Sequence, residues 1–235
     1  MSALCRKVFW DDPYLCKLHT QILEVVGDEV LFDQTIAYSF SGGQESDTAT
    51  FRGMPILSSR FDGLDIRYTF TANHGLGPGD SGLMEIDWPR RSRLMRYHML
   101  CELVLAITNR YFGKLERELV PEDIDKVGIV KVMAKMTDSG AYVDFDHGDM
   151  RPHIPFIQSE LDRIIDADLP IEKGFIDVKS HERYWRIHGL AMIPCGGTHL
   201  RSTRELGQAR LSRDRTTSKV TATKKAERIR NKAGM

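Results

Sequence analysis

The hydrophobic pattern changes period at Pro89, and that change limits the folds open to this 235-residue chain. Before it, apolar and polar residues alternate, the period of a half-buried strand. Residues 18–35 alternate around Gly27-Asp28, and residues 51–70 do so around Asp62-Gly63. Each reads as a hairpin. Residues 74–88 read as a glycine-rich turn followed by a short strand. Several short strands with regular turns predict a small barrel or curled sheet over 1–88. After Pro89 the apolar positions Leu94, Met95, Met99, Leu103, Ile107 and Tyr111 follow helical spacing, with further apolar residues between them. The spacing predicts a long helix that is apolar over a wide face. Residues 120–136 read as helix, or as helix leading into strand. A strand is expected over 139–147, a helix ending before Pro170, and strands over 173–180, 181–194 and 206–212. The basic end reads as helical from Thr223. The sum is an α+β chain: a small β-barrel-like domain, 1–88, then an α+β domain, 89–218, and a basic tail, 219–235.

Apolar residues make up 41% and charged residues 28%, an ordinary globular balance. No apolar run reaches the ~18 residues of a membrane span. The first residues are basic without an apolar stretch behind them, so a secretory signal is not expected, and cytoplasm is. Cys5, Cys16, Cys101 and Cys195 are irregularly spaced, which argues against a disulfide framework. Net charge is zero, yet residues 200–235 hold eleven Lys and Arg against three Asp and Glu. A basic end on an otherwise acidic protein is either a phosphate-backbone contact or a solvated surface.

Chemistry concentrates at Cys195-Gly-Gly-Thr-His199. Two glycines permit a tight turn, which would let a thiolate and an imidazole converge on one ion. That donor pair suits zinc. Alone, the spacing also describes a buried cysteine beside an unrelated histidine. A second pair lies on the predicted helix, where His98 and Glu102 are four residues apart and share a face. Cys101 could reach the same side.

Three segments, in order, resemble the freestanding alanyl-tRNA editing proteins of the AlaX type, which are similar to the editing domain of alanyl-tRNA synthetase. They are Asp33-Gln-Thr-Ile36 through Ser41-Gly-Gly-Gln44 and Asp47-Thr48; Ile86-Asp-Trp88 with Arg90, Arg91 and Met95-Arg-Tyr-His98; and Cys195-Gly-Gly-Thr-His199 with Ser202-Thr203 and Glu205-Leu-Gly207. The resemblance covers nearly the whole chain. It implies an α+β editing domain with a metal-bearing helix, and Zn(2+) held by His98, Cys195 and His199. Where that family has a second helix histidine, this chain has Glu102. Glu102 is the expected fourth ligand, with Cys101 or water as the alternatives. Ser41 stands where a third glycine is usual.

The resemblance further implies a zinc-dependent aminoacyl-tRNA deacylase, a hydrolase acting on an ester bond, that removes Ser or Gly from mischarged alanine tRNA. Gln44, Thr48, Thr137 and Ser139 are its candidate substrate contacts. The acceptor end of tRNA is the expected partner, and Arg201, Arg204, Arg213, Lys224 and Lys225 are the candidate phosphate contacts. ATP and membranes are not expected partners, and oligomeric state stays open. Two other classes compete: a non-catalytic RNA-binding protein with a degenerate metal site, and a metal-dependent hydrolase of another ester or amide.

Overall fold

A computed structural model describes residues 5–124, 126, 131–137, 139–145, 149–213 and 219–224. The first half is a seven-stranded antiparallel sheet in the order Met54–Pro55, Ala49–Phe51, Ser81–Ile86, Lys17–Val26, Glu29–Phe32, Asp65–Thr69 and Ser58–Asp62. Both predicted hairpins form: Val26 pairs with Glu29 across Gly27-Asp28, and Asp62 pairs with Asp65 across Gly63-Leu64. The strand Lys17–Val26 pairs with Ser81–Glu85 through its first five residues and with Glu29–Phe32 through its later ones. A register shift lies between Ile22 and Glu24, and such a bulge bends a strand. The sheet therefore curls around one apolar face. Phe32, Phe51, Phe70 and Tyr68 are buried there, with the rings of Phe32 and Phe51 4.8 Å apart.

The long helix spans Trp88–Gly113. Asp87 caps it by accepting the Arg90 N–H at 3.1 Å, and Pro89 occupies the first turn, where a missing N–H costs nothing. Lys114 closes it in the left-handed conformation. Fifteen of its 26 residues are buried, so it runs through the second half rather than over it. Around it lie the helix Ile154–Asp166, a four-stranded sheet (Lys131–Thr137, Gly140–Phe145, Lys219–Lys224, Ala209–Arg213) and a three-stranded sheet (Glu172–Asp177, Glu182–Ile187, Ala191–Pro194). A second core, separate from that of the curled sheet, fills this half. The molecule is α+β, with a curled β-sheet half ahead of a mixed half built on one central helix.

Two stretches differ from their reading in sequence. Thr223 and Lys224 are not helical: they end the strand Lys219–Lys224, which lies between Gly140–Phe145 and Ala209–Arg213. Val220, Thr221 and Thr223 are β-branched and favour a pleated surface, an inclination the surrounding lysines obscured. The residues from 219 to 224, assigned to a tail by their charge, are thus part of a sheet, while 225–235 lie outside the described residues. No helix among the described residues is long and apolar enough to cross a membrane.

Several polar contacts join the halves, and two of them involve the helix start and the glycine motif. Arg91, fully buried in the first turns of the helix, bonds Asp47 through Nε at 2.9 Å and the carbonyls of Pro13 and Ile36 at 2.9 and 2.7 Å. The glycine motif supplies the second joint. Gly43 O accepts the Met136 N–H at 2.9 Å, and Glu45 N–H donates to Met136 O at 3.3 Å.

Candidate metal centre

Helical geometry puts His98 and Glu102 one turn apart on the same face of the long helix, and both are buried. Opposite them, the strand Ala191–Pro194 runs into the Cys195–His199 turn. Cys195 N–H donates to Arg183 O at 2.8 Å, so pairing with the neighbouring strand fixes where the turn begins. Gly197 then passes directly beneath the His98 ring. A Cβ at this position would lie 1.8 Å from His98 Cε1, so only glycine permits the approach.

The result is a compact donor cluster. Ligand atoms of His98, Cys195 and His199 lie within 4.8 Å of one another. His98 Nε2 is 3.1 Å from Cys195 Sγ, and the two imidazole rings are 4.9 Å apart. His199 Nε2 is buried with no hydrogen-bond partner among the described residues, an expensive state unless something else takes its lone pair. Burial, then His98 nearby, holds the His199 pKa well below the usual histidine value. Its ring is therefore neutral near pH 7, the form that binds metal. Two imidazoles and a thiol around one point, one nitrogen buried and unsatisfied, could hold a metal ion.

Gln44 orients the cluster. Its Nε2 donates to Thr198 Oγ1 at 2.9 Å, and its Oε1 accepts Thr198 N–H at 3.3 Å. That fixes the amide with its oxygen toward His98 Nδ1, which donates to it. His98 Nε2 is left as the free-electron-pair nitrogen, on the side of Cys195. Gly43 makes this possible: its φ is +90°, and a Cβ would lie 2.1 Å from Ala134 O. The glycine motif thus serves to press Gln44 into the centre. Gln44 itself is fully buried, so its contacts are with His98 and Thr198 rather than with an open cleft.

Glu102 borders this cluster without being one of its three members. Its Oε1 lies 3.8 Å from His98 Nε2, and its Oε2 accepts Trp185 Nε1–H at 3.2 Å. Cys101 turns elsewhere: it is buried, with Sγ 3.8 Å from Tyr142 O. On the outer side, Trp10 Nε1–H donates to Gly196 O at 2.8 Å, and the Arg183 guanidinium stacks 5.1 Å from the Trp10 ring and 4.3 Å from Phe175. Sequence reading did not single out Trp10 or Trp185. Neither has a motif of its own, and Trp185 meets Glu102 across 83 positions of chain.

The remaining candidates lie farther out. Thr48 is exposed at the joint with the helix cap, where its carbonyl accepts Asp87 N–H at 2.9 Å. Thr137 and Ser139 shape a hairpin turn, their hydroxyls 3.0 Å apart, one residue beyond the Met136 backbone that pairs with the glycine motif. Asp138 between them lies outside the described residues. Arg201 and Arg204 are exposed; the first stacks 4.0 Å from the Tyr14 ring, and the second lies 3.5 Å from Asp168. Arg213 and Lys224 end paired strands, and their side chains, like all of Lys225, lie outside the described part.

Against proteins of known name, the chain is 27% identical over 210 residues to the alanyl-tRNA editing protein AlaX-M of Pyrococcus horikoshii, covering 88% of this chain and 90% of that protein. The chain is also 25% identical over 213 residues to the alanine–tRNA ligase of Aeropyrum pernix and 26% identical over 225 residues to that of Staphylothermus marinus. These matches cover 86% of this chain in each case, but only 24% and 23% of the ligases. No protein-family model matches it.

Proposed function

We propose that this protein is a cytoplasmic trans-editing hydrolase that cleaves Ser or Gly from mischarged alanine tRNA, with zinc held by His98, Cys195, His199 and Glu102. The observation that carries the proposal is the His98–Cys195–His199 cluster, with both imidazoles buried and the thiol half-buried. The AlaX-M likeness, spanning 90% of that protein, supports tRNA as the substrate carrier. The two separate cores support a division into a β domain and an editing domain near residue 88.

An aminoacyl ester is already activated, so its hydrolysis asks only for a placed water and stabilisation of developing negative charge. Zinc, when bound, supplies that stabilisation as a Lewis acid. The protein residues have the supporting tasks. Gln44 holds His98 in the tautomer that presents Nε2. Gly197 allows the turn to approach His98, and Gly43 allows the approach to Ala134 that brings the two halves together there. Cys195 and Gly196 are the outward-facing part of the turn, the side from which an ester can arrive, since Gly197 to His199 are buried. Thr137 and Ser139, on the turn that follows Met136, are the proposed hydrogen-bond partners of a serine hydroxyl. A pocket that satisfies that hydroxyl leaves its own polar groups unpaired with alanine, and so rejects it. Arg201 and Arg204 already lie near acidic groups, but exposed pairs of this kind are worth about 0–1 kcal/mol and can exchange for phosphate.

The test is incubation with Ser-, Gly- and Ala-charged alanine tRNA, wild type beside Cys195→Ala. Release of Ser or Gly but not Ala by wild type, and loss of release in the variant, is expected. No release from any of the three would refute the proposal.

A further inference from the structure

We infer that Trp185 is a positioning residue that turns the Glu102 carboxylate into the fourth metal donor; the inference rests on the zinc reading above. A glutamate in the middle of a helix has a loosely defined terminal torsion. Both of its oxygens would sample the cluster unless one were held. Trp185 holds one: its indole N–H donates to Oε2 at 3.2 Å, and Oε1 is left 3.8 Å from His98 Nε2. Indole nitrogen is a donor only, so it fixes the carboxylate without competing for the ion.

The placement of Trp185 is rigid. It is fully buried in the second core, on the strand Glu182–Ile187. Its register partner, Ile193, lies on the strand that leads into Cys195. Backbone pairing thus fixes the indole donor and the thiol relative to each other, from one sheet, against a helix carrying His98 and Glu102. A carboxylate buried this deeply is costly without compensation, and a dication beside it provides compensation. With a thiolate and a carboxylate, the donor set carries two negative charges, matching the ion.

Zinc affinity is measured by chelator competition on Trp185→Phe, Glu102→His and the double variant. Outer partners of this kind typically contribute 10–100-fold in metal affinity, so Trp185→Phe is expected to weaken zinc by about that factor. In the Glu102→His background the same change is expected to move affinity by less than about twofold, because imidazole needs no partner on Oε2. Equal losses in both backgrounds would mean only damaged packing and would overturn the inference, as would an unchanged affinity in Trp185→Phe. A second measurement needs no change at Trp185. The Trp185 indole N–H resonance, assigned with Trp10→Phe and Trp88→Phe, is expected to shift on adding one equivalent of zinc to wild type and to stay fixed in Glu102→Ala. A resonance indifferent to zinc in wild type overturns the inference. Wild type that binds no zinc overturns the zinc reading itself, and this inference with it.

Discussion

A methyl group at Gly197 would fall 1.8 Å from His98 Cε1, and nothing in that buried ring can yield without leaving the cluster. Gly197→Ala is therefore expected to keep the fold, seen by circular dichroism, and to lose zinc affinity by at least about tenfold, in the range of disturbed outer-sphere partners. Unchanged zinc affinity would show that the ring approach does not matter. At this scale the sequence was informative where residues close in chain order converge. Cys195 and His199 could be read from their glycine turn, and the shared face of His98 and Glu102 from a four-residue interval. What it could not show were contacts made across the fold. Gln44 was noticed in its glycine motif, but its partner His98 is 54 positions away, and its burial depends on Gly43 meeting Ala134. Asp47 and Arg91 both stood in recognisable segments, with nothing to say that each neutralises the other.

The elements divide in the same way. The long helix was legible because its apolar stripe, Pro89 and the Asp87 cap are all local signals. The hairpins were legible because Gly27-Asp28 and Asp62-Gly63 are local too. The strand Lys219–Lys224 was not, since its stability comes from neighbours at Gly140–Phe145 and Ala209–Arg213 and its lysines suggested a solvated tail. This gives two truncations different outcomes. Deleting 219–235 removes an interior strand and exposes two edges, so a lower midpoint of thermal unfolding is expected. Deleting 225–235 removes four Lys and Arg and one Glu, leaves that strand, and is expected to weaken tRNA binding and flatten its salt dependence while zinc content holds. Equal tRNA affinity for the shorter truncation at low salt would remove these residues from the interface.

Over the whole molecule, the centre exists only where the two halves meet. The β half contributes Gln44, the mixed half contributes every donor atom, and the Arg91–Asp47 pair, with both side chains fully buried, holds the two in register. Arg91→Met leaves the Asp47 charge buried and unpaired, which is expected to cost about 3–5 kcal/mol in denaturant unfolding. Pairing it with Asp47→Asn is expected to recover part of that loss. A single-variant cost within about 1 kcal/mol of zero would mean the joint is not held by charge. Bound zinc is expected to stabilise the native state as a whole: at a free concentration of 100 Kd, ligand binding stabilises by about 2.7 kcal/mol. The measurement that bears most directly on the central claim is the rate of serine release from seryl alanine tRNA by metal-stripped protein as zinc is returned. The account predicts no release without metal and a linear rise that levels off at one zinc per chain. Full activity in the stripped protein, or none at any zinc level, would contradict it.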